Sequence, residues 1–233
     1  MLKRLLRMLG RRAEGRATTD DVSWFFPPRT VVDPEAWDTY WQNQLTHCMA
    51  AFVHLFCDYG DLVDAMHTNG LRSVLCVGNG ITHEARALAW AGFDVTALDL
   101  SPFATKVASE ASPPEEFLAQ LVNGRPRRDT GSLAFVTGDL MDPACCPGPY
   151  DVVVDRRTLQ LFPEAERPKA VAAVAGRLAA RGIFFSHAHQ GGWRPGQPRV
   201  HALDSWFSAE GWTLQRLDEP LEGRVASLFV TTG

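Results

Sequence analysis

Apolar side chains recur along this chain first at helical spacing and then, from about residue 72, in short runs separated by amphipathic segments. The sequence Asp33-Pro34-Glu35 is typical of a helix start, because it offers an N-cap acceptor, a proline at the first helical position and an acid near the positive end of the helix dipole. We expect the apolar stripe that follows to run to Gly60, and a shorter helix to cover 61–67.

The second part of the chain alternates predicted strands with predicted helices. The predicted strands are 73–77, 94–98, 133–137, 151–154, 183–186, 212–217 and 224–230. The predicted helices are 82–91, 101–110, a short helix with capping-box spacing at 112–115, 164–180 and 201–210. This alternation implies a parallel sheet with helices on both faces. Six residues separate the last two strands, too few for a parallel crossover, so we expect that pair to be antiparallel.

The predicted organisation has three parts: a cationic tail and linker over 1–32, an N-terminal helical cap over 33–70 and an α/β domain over 71–233. Residues 1–16 carry six Lys or Arg and one Glu, with leucines at helical spacing. They predict a frayed tail, a helix with weak membrane-surface contact through residues 1–12, or a partner-binding helix. An aromatic cluster, Trp24-Phe25-Phe26, lies in the linker.

Composition narrows the class of protein. The 233 residues are 45% hydrophobic and 21% charged, with a net charge of −4, so we expect a globular domain without a general nucleic-acid-binding surface. The five cysteines show no CxxC spacing, which favours neither a zinc site nor a disulfide framework and fits a reducing cytoplasm. No apolar run reaches the roughly 18 residues of a transmembrane helix.

The strongest local signal is a glycine turn that follows the first predicted strand. Gly78 and Gly80 allow a sharp turn and a close approach of the backbone to a ligand, and the next helix presents its N-terminus there. Asp99 ends the second strand, where a carboxylate can accept the hydroxyls of a ribose. The third glycine of a dinucleotide fingerprint would stand at His83, which disfavours a nicotinamide cofactor.

The stretch VLCVGNGITHEARALAWAGFDVTALDLSPFATKVA resembles the first two motifs of class I S-adenosylmethionine-dependent methyltransferases. Two positions depart from that pattern: Cys76 replaces the usual acid, and Thr82, which we expect to be a helix N-cap, replaces a third glycine. Residues 155–182 are similar to the thiopurine S-methyltransferase-like branch. The resemblance implies a Rossmann-like class I methyltransferase fold, with a mostly parallel seven-stranded sheet, one antiparallel strand and helices on both faces.

The same resemblance implies site residues. Those expected to bind S-adenosyl-L-methionine are Gly78, Asn79, Gly80, Thr82, Asp99, Leu100, Asp139, Leu140 and Asp155. Asp155, His187 and His189 are candidate catalytic bases, and Trp37, Trp41 and Arg156 are candidates for the substrate pocket. His187 and His189 lie two positions apart, so on a strand both would point to one side, but no third ligand at suitable spacing accompanies them and no metal is expected.

The predicted function is S-adenosylmethionine-dependent methyl transfer to a small-molecule acceptor. Cys76 and Thr82 leave open a non-catalytic binding or sensor protein with a methyltransferase fold. An NAD(P)-dependent oxidoreductase is a further alternative, which His83 and the antiparallel ending disfavour.

Overall fold

The computed structural model describes residues 33–46, 59–155, 158–188, 213–216 and 225–232. The helices are α1 (Pro34–Thr46), α2 (Gly60–Thr68), α3 (Glu84–Trp90), α4 (Pro102–Glu110), α5 (Glu115–Leu121) and α6 (Arg167–Ala175), and a 3-10 turn covers Leu159–Leu161. The strands are β1 (Ser73–Val77), β2 (Asp94–Asp99), β3 (Ser132–Thr137), β4 (Tyr150–Asp155), β5 (Leu178–Ala188), β6 (Thr213–Arg216) and β7 (Val225–Thr232). In these ranges no helix combines the length and apolar character that crossing a bilayer requires.

The strands form one sheet in the order β3-β2-β1-β4-β5-β7-β6. The first five strands in this order are parallel, and β1 lies between β2 and β4. β7 pairs antiparallel with both β5 and β6. The α/β class and the parallel sheet predicted from the alternating pattern are therefore confirmed, and the carboxyl ends of β1, β2, β3 and β4 meet at one edge.

Successive residues of a central strand bury their side chains on opposite faces of the sheet. On one face, Val74 and Cys76 of β1 pack with α2, α3 and α5. On the other face, Leu75 and Val77 pack with α6, the 3-10 turn and Trp37 of α1. Because strands buried on both faces read as continuous apolar runs, β1 and β4 were recognisable in the sequence to within a residue.

The helix predicted over 164–180 is too long at both ends, since α6 begins only at Arg167. α6 ends at Ala175, and β5 begins at Leu178. Arg177 explains the difference: it is buried, and its guanidinium donates hydrogen bonds to the carbonyl oxygens of Asp142, Cys145, Cys146 and Ala173. Its own carbonyl accepts a hydrogen bond from the backbone of Tyr150 at 2.7 Å, so the chain has already turned into the sheet.

Two predicted caps also differ. The residue that precedes α3 is His83, not Thr82, whose hydroxyl instead donates a hydrogen bond of 2.6 Å to the carbonyl of Asn79 inside the turn. α5 starts after Pro114 without a side-chain cap, so the capping box at 112–115 does not form. Three predicted segments lie outside the described residues: the part of the apolar stripe expected over 47–58, the tail over 1–32 and the helix expected over 201–210.

Candidate active site

The glycine turn connects the carboxyl end of β1 to α3. Gly78 and Gly80 have φ values of 65° and 58°, in the left-handed region that glycine adopts without strain. The turn is fixed from both sides: the Asn79 backbone N–H donates to the carbonyl of Leu98 at 3.1 Å, and the Thr82 hydroxyl closes back on Asn79. The local sequence thus builds a rigid turn beside the end of β2.

Asp99 lies directly against this turn. One carboxylate oxygen accepts a hydrogen bond from the backbone N–H of Gly80 at 2.6 Å, and the other accepts from the N–H of Ser101 at 2.9 Å. The residue is only 7% exposed, and burial raises the pKa of its carboxyl from 3.8 to about 6. The structure therefore brings the predicted turn and the predicted carboxylate together on one edge of the sheet.

A second carboxylate, on α1, reaches the same region. Asp38 accepts hydrogen bonds from the Ser101 hydroxyl and, at 3.0 Å, from the backbone N–H of Phe103. Ser101 in turn caps α4, since its side chain accepts from the N–H of Ala104 at 2.9 Å. Burial is the main cause of the raised pKa of Asp99, and the negative charge of Asp38 is a smaller one. α1 is thus tied to the start of α4, two residues from Asp99.

Two side chains from distant parts of the chain cover the two glycines. A Cβ on Gly80 would lie 2.6 Å from the indole ring of Trp41, and one on Gly78 would collide with the hydroxyl of Thr158. Both contacts would be shorter than those that real Cβ atoms make. Each glycine is therefore required by close packing as well as by its backbone conformation. The indole N–H of Trp41 is buried and has no hydrogen-bond partner among the described residues.

The aromatic residues of α1 form a cluster above this edge. The ring centroids of Tyr40 and Trp41 lie 4.9 Å apart, and those of Trp37 and Tyr40 lie 5.4 Å apart, both in edge-to-face geometry. Trp37 is 9% exposed and packs in the core with Leu98 and other residues of that sheet face. Of the two tryptophans expected at a pocket, Trp41 meets the glycine turn and Trp37 lies deeper.

The end of β3 completes the edge next to Asp99. The N–H of Gly138 donates to the carbonyl of Asp99 at 2.9 Å, and the carboxylate of Asp139 accepts from the N–H of Met141 at 2.8 Å. Leu100 and Leu140 both pack into the core on the face that holds Trp37. The predicted residues of β1, β2 and β3 thus lie at three adjacent strand ends.

Asp155 ends β4 on the other side of β1. It is 1% exposed, and its carboxylate accepts hydrogen bonds from the N–H groups of Thr158 and Leu159 at 2.8 and 3.1 Å and from the Ser186 hydroxyl at 2.9 Å. Burial raises the pKa of this carboxyl, despite these donors. The observed contacts hold the turn that carries Thr158 against Gly78.

The remaining predicted residues are only partly described. His187 lies in β5, with its backbone paired to Ala226, whereas Arg156 and His189 lie outside the described residues. Where side chains are described, no three His, Cys, Asp or Glu residues come together in a way that could hold a metal ion.

Cys76, at the position where the resemblance leads us to expect an acid, is a buried member of the sheet core. Burial raises the pKa of its thiol far above the ordinary value, and the charge of Glu84 is a second, smaller cause. The thiol is therefore neutral and supplies no carboxylate contact to a ligand.

Asp38 and Thr158 were not recognised from the sequence. Thr158 offers no local signal, because its partner Val77 is 81 positions away. Asp38 stands on a helix whose aromatic residues were expected at the pocket, and its spacing from Trp41 places both on one side of α1. That shared face was the one available signal.

The sequence matches the thiopurine S-methyltransferase family over residues 32–186. Among curated proteins, no sequence matches this chain. Solved structures that resemble it include a TehB-like S-adenosylmethionine-dependent methyltransferase from Corynebacterium glutamicum, with 20% identity and a TM-score of 0.54 over 86% of this chain and 99% of that one.

Two further structures contain the cofactor or its demethylated product. Magnesium protoporphyrin IX methyltransferase from Synechocystis, with bound S-adenosylmethionine, has 18% identity and a TM-score of 0.52 over 83% of this chain and 84% of that one. The O-methyltransferase NcsB1 of neocarzinostatin biosynthesis, in complex with S-adenosylhomocysteine and 1,4-dihydroxy-2-naphthoic acid, has 17% identity and a TM-score of 0.55 over 82% and 61% of the two chains.

These structures share the fold, and the family match covers about two thirds of the chain, including the glycine turn, Asp99, Asp139 and Asp155. The chain belongs to the thiopurine S-methyltransferase family, whose members are methyltransferases that use S-adenosylmethionine.

Proposed function

We propose that this chain transfers the methyl group of S-adenosylmethionine to a small-molecule acceptor, with the cofactor bound at the edge formed by β1, β2 and β3. The observation that carries the proposal is the hydrogen bond of 2.6 Å between the Gly80 N–H and the Asp99 carboxylate. It joins the turn that would face the cofactor to the carboxylate that would hold its ribose.

The residues present fit an adenosine-containing cofactor. The N–H groups of Gly80 and Ser101 each donate to a different Asp99 oxygen, and Leu100 is a further backbone donor. An ionised carboxylate has about four acceptor positions, so it retains acceptor capacity for a ribose hydroxyl. The buried indole N–H of Trp41 has no partner among the described residues, and a polar ligand at Gly80 would satisfy it. The Trp41 ring lies against Gly80, so a Cβ at that position would collide with it.

In this proposal the described residues bind and orient, and the bound sulfonium supplies the methyl group. Asp99 would hold the ribose, while Asp139, Leu100 and Leu140 would bound the adenine, and Gly78 and Asn79 would face the methionine part. Thr82 would act indirectly, since its hydroxyl closes the turn through the carbonyl of Asn79. Methyl transfer is an in-line displacement, so this positioning carries much of the rate enhancement.

We assign Asp155 a positioning role rather than that of a proton acceptor. Its carboxylate is buried and already accepts three hydrogen bonds, two of which fix the backbone of the turn that places Thr158 against Gly78. If the acceptor atom must lose a proton, His187 and His189 are the proposed bases, with Arg156 as a substrate contact.

Residues 33–70 are proposed as a helical cap in which α1 covers the cofactor edge. Asp38 ties α1 to Ser101, and the aromatic cluster of Trp37, Tyr40 and Trp41 stands over the turn. A short aromatic helix offers a compact, dry pocket wall, which suits a small acceptor. The solved complex of NcsB1 with 1,4-dihydroxy-2-naphthoic acid illustrates a small molecule bound on the same fold.

The finer assignments of fold and location also belong to this proposal. We propose that the parallel core closed by the reversed strand β7 forms the complete seven-stranded methyltransferase sheet, and that the protein works in the cytoplasm. Family membership does not favour the non-catalytic binding protein or the oxidoreductase considered from the sequence.

Isothermal calorimetry with S-adenosylhomocysteine tests the proposal directly. We expect the wild-type chain to bind this compound and S-adenosylmethionine, and to release S-adenosylhomocysteine when small nucleophiles with O, N or S acceptor atoms are supplied. Failure to bind either compound would overturn the assignment. Binding without turnover of any acceptor would favour the sensor alternative.

A further inference from the structure

Two adjacent cysteines lie beside the proposed adenine region, in the loop between β3 and β4. Cys145 and Cys146 are half-buried, and neither is in a disulfide. The two side chains are near enough to interact electrostatically, since the neighbouring Cys145 is one cause, after burial, of the raised pKa of the Cys146 thiol. Both side chains pack against the core on the sheet face that also holds Leu140.

The loop that carries this pair is held in place by the protein. The buried guanidinium of Arg177 donates to the carbonyl oxygens of both cysteines, at 2.9 Å to Cys145 and 3.2 Å to Cys146. The N–H of Cys145 donates to the carbonyl of Asp142 at 3.0 Å. Cys146 has a φ of 49°, which a residue with a Cβ adopts only where its surroundings impose it. The two thiols are therefore presented together by a fixed backbone.

The position of the pair links it to the cofactor edge. A Cβ on Gly138 would collide with the sulfur of Cys145, so this thiol lies against the residue that precedes Asp139. The N–H of Gly138 donates to the carbonyl of Asp99 at 2.9 Å. A group bound to Cys145 would therefore press on the backbone of Gly138, which links Asp139 to Asp99.

The chemistry of the pair selects a particular kind of ligand. Zinc would need four ligands, and no third His, Cys, Asp or Glu joins the pair among the described residues. Burial, and then the neighbouring Cys145, raise the pKa of Cys146 to about 11, so its thiolate is scarce at neutral pH and reagents that attack single thiolates react slowly. Two neighbouring thiols on a fixed turn instead suit a soft, pyramidal centre that takes two sulfur ligands at once.

We propose that Cys145 and Cys146 form a dithiol site for trivalent organoarsenicals and that its occupation weakens cofactor binding. An arsonous acid, R–As(OH)₂, condenses with the two thiols. Two S–H and two As–OH bonds break, two As–S bonds form, two water molecules leave, and no atom changes oxidation state. Binding of the arsenical depends on the dithiol alone, whereas its effect on cofactor binding rests on the proposed cofactor site.

Phenylarsine oxide is the probe that tests binding of an arsenical to the two cysteines. We expect intact-mass measurement of the reduced full-length chain to show one phenylarsenic adduct that survives desalting and is removed by a dithiol but not by an equal concentration of a monothiol. Cys145→Ser and Cys146→Ser should each lose this adduct. The double variant Cys48→Ser/Cys57→Ser, whose cysteines lie outside the described residues, should keep it; loss of the adduct in that control instead would overturn the site.

Calorimetry with S-adenosylhomocysteine tests whether the bound arsenical weakens cofactor binding. We expect the arsenical to reduce its affinity at least about tenfold in the wild type and not at all in Cys145→Ser, whose own affinity should match that of the untreated wild type. Unchanged affinity in a fully modified wild type would overturn the link to the cofactor site. If the untreated wild type binds no S-adenosylhomocysteine but still forms the adduct, the proposed function fails and the dithiol site stands.

Discussion

The side chain of Thr158 fills the space that a Cβ on Gly78 would need. Its hydroxyl donates to the carbonyl of Val77 at 3.1 Å, and its own Cβ lies 3.0 Å from the position that the added Cβ would take. Thr158 is thereby packed on the turn after β1, and the carboxylate of Asp155 accepts a hydrogen bond from its backbone N–H. The glycine turn at the proposed cofactor site is therefore supported by a residue that lies 80 positions further along the chain.

Gly78→Ala should abolish binding of S-adenosylhomocysteine and lower the thermal midpoint. The new methyl group meets Thr158 in addition to the left-handed backbone penalty of about 1–2 kcal/mol. Gly70→Ala is the matched control, since Gly70 has the same φ of 65° but open space around its Cα. It should show the backbone penalty alone in thermal melts and bind the ligand normally. Equal behaviour of the two variants would contradict the packing argument.

Asp99→Asn should weaken binding of S-adenosylhomocysteine by about 10- to 100-fold, because hydrogen bonds to a charged acceptor contribute about 1.5–3 kcal/mol each. Asp94→Asn is the control on the same strand. Asp94 lies at the opposite end of β2 and forms an exposed ion pair with Arg72 at 2.6 Å. Calorimetry should show unchanged affinity in the control, and a comparable loss in both variants would remove Asp99 from the site.

The pKa of about 6 for Asp99 predicts opposite pH trends for binding and for folding stability. The ionised carboxylate accepts ribose hydroxyls, so affinity should fall as the pH drops below about 6. Because the folded-state pKa is raised from 3.8, the stability contribution of this group is present below about pH 4 and is lost as the pH rises through about 6. Calorimetry from about pH 5 to 7 should show the first trend, and Asp99→Asn should remove it.

Asp38→Asn should move the midpoint of that binding profile to lower pH. The charge of Asp38 is one cause of the raised pKa of Asp99, so neutralising it lowers that pKa. Asn keeps an acceptor for Ser101 and Phe103, whereas Asp38→Ala removes it and should also destabilise the chain by about 0.5–2 kcal/mol. A midpoint that is the same in wild type and Asp38→Asn would show that the two carboxylates do not interact.

Arg177→Met should be among the most destabilising single changes in the sheet region. Removal of this buried guanidinium leaves the carbonyl oxygens of Asp142, Cys145 and Cys146 without their donor, at a cost of about 1–3 kcal/mol for each buried acceptor left unsatisfied. Arg127→Met, which loses only exposed partners, should melt close to the wild type in calorimetric scans. A small effect at position 177 would mean that water replaces the guanidinium.

The central elements and the heart of the site were predictable because their signals are local. β1 and β4 are apolar runs buried on both faces, and the glycine turn and Asp99 follow from the ends of two such runs. The break between α6 and β5 was not predictable, since Arg177 lies in a helix-like pattern and its partners are up to 35 positions away. The tie between Asp38 and Ser101 joins positions 63 apart and is equally invisible to periodicity.

A single helix carries both the tether to Ser101 and the ring that meets Gly80. In the proposed site, seating of α1 and binding of the ligand are therefore thermodynamically coupled, and the coupling free energy is the same in both directions. Hydrogen exchange along residues 34–46 should consequently slow when S-adenosylhomocysteine is added, which makes amide protection of this helix a label-free gauge of ligand affinity.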